Sequence, residues 1–167
     1  MRACGLLLLL AVACKDPMRQ RSLAELGGEA AGVPAGPLHR PGQPCLICHG
    51  EDGPANARFV LAGTVYQHRT GPAPLHDARI RFIDSTGVQY AVSSNCAGNF
   101  WVSAPNYRPA WPVWMKVEYG ASFIEMQSPT FREGSCAACH ESPASPSSAG
   151  QLYFADDSTP FTQASCR

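Results

Sequence analysis

The stretch FVLAGTVYQ, residues 59–67, is the first of six apolar segments whose composition and spacing favour β-strands. Short turns such as STG and NCAGN separate the segments. The other five are ARIRFID (78–84), VQYAVSS (88–94), FWVSA (100–104), VWMKVEYG (113–120) and SFIEMQS (122–128). Six strands at short spacing predict a mainly β protein with an antiparallel β-sandwich over residues 59–128.

The order of turns and strands in this region resembles the carboxypeptidase regulatory-like, or transthyretin-like, sandwich. The motifs that carry the resemblance are GTVY (63–66), ARIRF (78–82), DSTG (84–87) and AGNF (97–100). It implies that the sandwich is a scaffold without catalysis. The sequence also shows no paired carboxylates and no nucleophile with a base at a spacing typical of an active site.

Two copies of Cys-x-x-Cys-His flank the predicted sandwich, PCLICHG (44–50) and CAACHE (136–141). This spacing suits c-type haem, because two thiols add to the vinyl groups on one porphyrin edge and the adjacent histidine reaches the iron. A second copy makes a chance occurrence of the pattern much rarer. The sequence therefore predicts two covalently attached haem c groups. The attachment residues are Cys45, Cys48, Cys136 and Cys139, and the proximal iron ligands are His49 and His140.

Paired cysteines can also form disulfides, a zinc site or a redox site. Disulfides suit an oxidising compartment but do not require a histidine after each pair. One zinc site of four cysteines is disfavoured because nearly ninety residues separate the pairs. A thioredoxin-like redox site is disfavoured because no βαβ pattern surrounds either motif.

The distal iron ligands come from folding and not from local spacing, so the sequence only offers candidates. Met126 ends a predicted strand shortly before the second motif, and His68 follows the first strand. His39 and His76 lie in proline-bounded loops and are the alternatives. Methionine ligation raises a haem's reduction potential relative to a second histidine, and a missing sixth ligand leaves the iron open to small molecules.

The N-terminus has the pattern of an export signal. Arg2 precedes the short apolar run GLLLLLAVA, which is too short to span a bilayer as a helix. Residues 1–13 are therefore predicted to be a signal peptide. The small residues before Cys14 resemble a bacterial lipoprotein signal, which implies lipidation of that cysteine; Lys15 and Asp16 after it weakly favour the outer membrane.

The remaining chain divides around the motifs. Residues 14–44 are rich in Gly, Pro, Ala and Arg and predict a flexible, lipid-anchored tether leading to a first haem-binding segment at 45–58. Residues 129–167 are predicted to hold the second haem-binding segment and a C-terminal tail. Cys96 and Cys166 are the cysteines left over, so they are candidates for a disulfide, with free or intermolecular thiols as the alternative.

The whole arrangement resembles exported bacterial dihaem c-type cytochrome-like proteins, which implies electron transfer between redox partner proteins outside the cytoplasm. A non-enzymatic carrier is favoured. One alternative is a haem enzyme or sensor with an open iron, such as a peroxidase or a gas-binding protein. Another is a cell-surface binding module stabilised by haem, with Trp101, Trp111 and Trp114 as candidates for the binding face. Nucleic-acid binding is disfavoured because 13 basic residues balance 13 acidic ones without a basic cluster.

Overall fold

The computed structural model describes residues 16–29 and 31–166, and it confirms a mainly β fold with two sheets. The predicted signal peptide and Cys14 lie outside the described residues. One sheet has three strands in the order β4-β1-β7, and the other has four in the order β3-β2-β5-β6. The strands are β1 (Phe59–His68), β2 (Arg79–Asp84), β3 (Gln89–Ser93), β4 (Asn99–Ser103), β5 (Val113–Tyr119), β6 (Ser122–Glu125) and β7 (Leu152–Ala155).

All six predicted strands are present, and the pairs β1–β4, β2–β3, β2–β5 and β5–β6 are antiparallel. The strand pairs within the predicted bounds, residues 59–128, are thus antiparallel, and the structure adds a strand from beyond them, since β7 pairs with β1 in parallel. Little in the local pattern predicts β7, since its four residues stand in a polar tail. A strand from beyond residue 128 therefore completes the smaller sheet.

The core lies between the two sheets. Val65 and Phe100 from the smaller sheet and Ile80, Phe82 and Val113 from the larger one are almost fully buried. The rings of Phe82 and Phe100 lie 6.3 Å apart across the interface. Because side chains alternate along a strand, the neighbours of these residues point away from the core, and on the smaller sheet they form the surface that carries the site.

Residues 16–57, called here the N-terminal layer, cover that outer surface. Helix α1 (Pro17–Leu26) lies where the sequence predicted a flexible tether. Asp16 caps it by accepting a hydrogen bond from the Met18 amide, and Pro17 suits the first helical turn because its missing N–H is not needed there. The one-turn helix α2 (Leu46–His49) contains the first motif.

Residues 129–166, called here the C-terminal segment, return along the sandwich. Thr130 exchanges backbone hydrogen bonds with Val113, and the Ala62 amide donates to Gly134 O at 2.9 Å. A 3-10 turn (Cys136–Ala138) then carries the second motif before β7. A disulfide joins Cys96 to Cys166, whose Cα atoms are 5.6 Å apart, and ties the tail to the sandwich. Among the described residues, no helix has the length and apolar character needed to cross a membrane.

Candidate functional site

The two Cys-x-x-Cys-His motifs adopt the same local backbone. In the first, the His49 amide donates to Cys45 O at 2.8 Å, and in the second the His140 amide donates to Cys136 O at 2.8 Å. The second cysteine of each motif also donates its amide to the carbonyl of the first, at 3.2 Å. A single tight turn thus draws two cysteines and a histidine together in both places.

Each motif histidine is oriented by a backbone carbonyl. His49 Nδ1 lies 3.0 Å from Ala57 O, and His140 Nδ1 lies 3.0 Å from Gly150 O. A carbonyl oxygen only accepts hydrogen bonds, so Nδ1 carries the proton and Nε2 keeps its lone pair. A backbone carbonyl on the far nitrogen is the arrangement that commonly orients a metal-binding histidine.

The first motif lines a cavity of about 760 Å³ between the N-terminal layer and the smaller sheet. This volume lies in the range of cofactor pockets, which is about 300–1,000 Å³. Cys45, Cys48 and His49 all border it. The sheet side is formed by Phe59, Ala62, Asn99, Phe100, Trp101 and Ser103. The layer side includes Leu26, Ala35, Pro37, Pro44, Pro54 and Ala57.

Aromatic rings form one wall of this cavity. The His49 ring stacks on Phe59 with 4.4 Å between centroids, and Phe59 stacks in turn on Trp101 at 5.6 Å. A β-bulge between Phe59 and Leu61 brings the Phe59 ring to the outer side of the sheet. Rigid aromatic and aliphatic walls with a few polar groups are typical of a cofactor site, and they fit a flat, largely apolar porphyrin.

A second histidine lines the same cavity. The rings of His39 and His49 have centroids 5.9 Å apart, with their planes at 65°. His39 Nδ1 is buried and has no well-oriented hydrogen bond, although a Glu29 carboxylate oxygen lies 3.3 Å away. The Arg40 guanidinium bonds to Glu29 at 2.9 Å and holds the pKa of that carboxyl below its usual value.

A chain of polar contacts fixes the loop that carries His39. Buried Asn99 donates from Nδ2 to His39 O at 2.9 Å and accepts at Oδ1 from the Thr64 hydroxyl at 2.7 Å. Thr64 Oγ1 also accepts from the Gly42 amide at 2.7 Å. Both ends of the loop are therefore bonded to strands of the smaller sheet.

The second motif has different surroundings. The space beside Cys136 and His140 is only about 30 Å³, so it has no room for a porphyrin in this structure. Cys136 packs against the core, and a Cβ added to Gly63 would lie 2.8 Å from its sulfur and 3.0 Å from the Phe100 ring. Burial, helped by the nearby Cys45, raises the pKa of the Cys136 thiol to about 12. Cys139 is exposed.

The other distal candidates lie away from the cavity. Met126 packs against the core, and its amide pairs with Met115 beside β6. His68 stands at the far end of β1, with Nδ1 3.3 Å from Asp156 O. His76 uses both ring nitrogens, Nδ1 to Asp77 Oδ2 and Nε2 to Ala164 O, each at 2.8 Å. Of the four candidates, only His39 lines the first cavity.

The three tryptophans do not share a face. Trp101 faces the cavity from the smaller sheet, Trp111 packs against the core, and Trp114 is exposed on the larger sheet. The alternative of a tryptophan-lined binding face receives no support from this placement. Across residues 16–29 and 31–166, no three His, Cys, Asp or Glu side chains are grouped as a bare metal site.

Several residues of the site escaped the sequence analysis. Glu29 contacts His39, which lies 10 positions away. Asn99 contacts His39 and Thr64, which lie 60 and 35 positions away. The glycine turn before Asn99 was the one sequence signal near these residues.

Comparison with protein-family models, curated proteins and solved structures gave no match.

Proposed function

We propose that this protein is an exported c-type cytochrome that carries electrons between redox partner proteins, with haem attached through Cys45 and Cys48. The observation that carries the proposal is the cavity of about 760 Å³ bordered by both thiols and by His49. The donor set is the one that covalent haem needs, and the surrounding walls are mostly apolar. The sandwich serves as the scaffold, in line with its resemblance to regulatory-like domains.

The chain's residues have distinct tasks in this proposal. When bound, haem supplies a one-electron couple whose potential depends on the axial ligands and on burial. Cys45 and Cys48 would hold the haem covalently. Ala57 O holds Nδ1 of His49, which would leave Nε2 available to bind the iron. Phe59 and Trp101 exclude water from one side, which lowers the local dielectric around the site.

A second haem at Cys136 and Cys139, with His140 as its ligand, is proposed on different grounds. The repeated motif and the shared turn support it, and the Gly150 carbonyl orients the imidazole as in the first site. The space there does not fit a porphyrin unless Cys136 leaves the core. We therefore derive no electron-transfer step through that site.

Export and anchoring complete the proposal. Residues 1–13 would direct secretion, and lipid on Cys14 would attach the chain to a membrane, in our proposal the outer membrane, facing the periplasm or the cell surface. Attachment of c-type haem outside the bacterial cytoplasm agrees with that route. The redox partners would meet the protein in the same compartment.

The test is the number of covalent haems per chain. Protein is expressed with a c-type maturation system, denatured, stripped of free haem and assayed as the pyridine haemochrome. Three chains are compared: the wild type, Cys45→Ser with Cys48→Ser, and Cys136→Ser with Cys139→Ser. The variants are matched, since each removes one motif and leaves the other intact.

Loss of one haem in the first variant supports attachment at Cys45 and Cys48. Two haems in the wild type and one in each variant support both sites. One haem in the wild type that survives only in the second variant restricts the proposal to the first motif. No covalent haem in the wild type overturns the proposed function and returns the cysteine pairs to disulfide or metal chemistry.

A further inference from the structure

We propose that His39 is the second axial ligand of the iron at the first motif, opposite His49, so that this haem is six-coordinate and bis-histidine. The inference rests on the proposed function, because it needs haem at Cys45 and Cys48. It identifies the site as an electron-transfer centre closed to external ligands. It also selects one residue from several histidines and methionines that the sequence could not separate.

The spacing of the two rings fits this role. A metal–imidazole bond is about 2 Å long and the ring centroid lies about 1 Å beyond the nitrogen, so two imidazoles on opposite sides of one metal have centroids about 6 Å apart. The centroids of His39 and His49 are 5.9 Å apart. Both rings also border the same cavity.

The far nitrogens of both rings face acceptors. His49 Nδ1 donates to Ala57 O, and the carboxylate of Glu29 lies 3.3 Å from His39 Nδ1. Neither Nε2 atom has a hydrogen-bond partner among the residues that the structure describes. An acceptor on Nδ1 directs the lone pair of Nε2 to a metal and makes it a stronger donor. Ala57 O supplies that acceptor to His49, and Glu29 is near enough to His39 to do so after a small rotation of the ring, although the present contact is not a well-oriented hydrogen bond. Arg40 Nε donates to the Glu29 carboxylate at 2.9 Å and fixes its position beside His39.

The backbone around His39 is held before any ligand binds. Asn99 holds the carbonyl of His39 and also donates to Pro37 O at 3.3 Å. On the other side, Arg40 donates to Leu26 O at 3.1 Å, which fixes the loop to the end of α1. A ligand held in place costs less entropy to coordinate than one on a free loop.

The competing histidines do not reach this iron position. The His49 ring stacks on Phe59, at one end of β1, and His68 stands nine residues further along the strand. A strand rises about 3.3 Å per residue, which separates the two by about 30 Å. His76 is bonded through both ring nitrogens to Asp77 and to the C-terminal tail.

The test uses visible and EPR spectra of holoprotein that carries haem only at the first motif, in the Cys136→Ser, Cys139→Ser background. His39→Ala is compared with His39→Met and with the control His68→Ala. We expect the parent and His68→Ala to be low-spin and slow to bind carbon monoxide. His39→Ala should become high-spin and bind carbon monoxide readily, and added imidazole should return it to low spin.

His39→Met keeps a ligand at the position, so it should stay largely low-spin with a higher reduction potential than the parent. A spectrum of His39→Ala that matches its parent overturns the inference while the haem count still supports the proposed function. A parent that is already high-spin overturns it as well. The pyridine haemochrome of each variant shows whether a spectral change reflects a loss of haem. If the Cys136→Ser, Cys139→Ser background does not fold, the same spectra are recorded in the wild-type cysteine background.

Discussion

The N-terminal layer and the C-terminal segment carry the same five-residue motif but are attached to the sandwich in different ways. Within the described residues, no backbone–backbone hydrogen bond joins the layer to the sandwich; side chains such as Asn99 and Thr64 make the connection. The C-terminal segment is joined by backbone bridges, by β7 and by a disulfide.

This difference explains why only one motif has space beside it. Side-chain hydrogen bonds hold the layer against the sheet at Asn99 and Thr64, and the cavity lies between the layer and the sheet. Backbone pairing instead brings the second motif to strand-pairing distance from β1, so Cys136 enters the core beside Gly63. The same turn therefore borders a cavity in the first motif, whereas in the second it packs Cys136 against the core and leaves Cys139 exposed.

The largest effect should be the chemical reactivity of the partly buried Cys136 thiol in protein made without attached haem. A pKa of about 12 leaves Cys136 with roughly a thousandth of the thiolate of an ordinary cysteine at pH 8. Burial is the main cause of this shift, and it remains when Cys45 and Cys139 are replaced, so we expect iodoacetamide to modify Cys136 at least about 100-fold more slowly than a free cysteine. The chain for this measurement is Cys45→Ser, Cys48→Ser, Cys139→Ser, with alkylation followed by mass spectrometry.

The control keeps exposed Cys139 and replaces Cys136, and unfolding in urea should make the two chains react alike. Alkylation of folded Cys136 at the rate of a free thiol would show that the second motif is open. The proposed difference between the two motifs, one beside a cavity and the other packed against the core, would then be wrong.

The next effect is the contribution of the disulfide to the stability of the C-terminal segment. Cys96→Ser with Cys166→Ser removes a link across 70 residues, for which loop entropy predicts a loss of about 4 kcal/mol in the free energy of unfolding. Urea denaturation measures the loss. Hydrogen exchange should rise in the tail and leave the N-terminal layer nearly unchanged; equal increases in both would contradict separate attachment.

A smaller loss is expected when the layer's own anchor is removed. Asn99→Ala leaves the carbonyls of His39 and Pro37 and the Thr64 hydroxyl without their buried partner, at a cost of about 1–3 kcal/mol. Hydrogen exchange should rise in residues 36–43. The matched control is Asn106→Ala, at an exposed asparagine, which should stay within about 0.5 kcal/mol of the wild type. No difference between the two variants would show that the layer is held elsewhere.

The sequence predicted the strands well because their burial depends on local pattern. Along β2, the charged side chain of Arg79 is exposed, whereas the apolar side chains of Ile80 and Phe82 are buried, as the alternating pattern predicts. The strand β7 was missed because its pairing with β1 is made by residues nearly ninety positions away. Helix α1 was missed because none of its residues is buried, and its capping and ion-pair contacts are weak signals in a chain rich in glycine and proline.

The motifs themselves could be recognised, because two thiols and a histidine need a fixed local spacing. Their surroundings could not. The positions of His39 and Met126 follow from which sheet each adjoins, and nothing in the spacing of Met126 from the second motif shows that it packs into the core. Local chemistry was thus readable from the sequence, whereas the choice among distal ligands depends on long-range packing.

The smallest expected effect is an acid sensitivity confined to the N-terminal layer, arising from the Glu29 carboxylate that joins Arg40 to the His39 loop. The Arg40 guanidinium lowers the pKa of Glu29 from its usual 4.5, so the charged form is favoured in the folded layer. A depressed pKa stabilises the fold above the unfolded value, and that contribution is lost as the pH falls through the folded value. Hydrogen exchange in residues 36–43, corrected for the intrinsic rate, should therefore increase between about pH 5 and pH 3.

Glu29→Gln should remove most of that pH dependence and show raised exchange already at pH 6, because its amide cannot form the ion pair with Arg40. Glu51→Gln changes an exposed carboxylate of the same layer that has no ion pair among the described residues, so it should keep the wild-type profile. The C-terminal segment, held by backbone pairing and a disulfide, should show little change over this range. Acid loosening of both regions together would mean that they respond as one unit, whereas loosening of the layer alone would show that charge holds the first motif in place and backbone pairing the second.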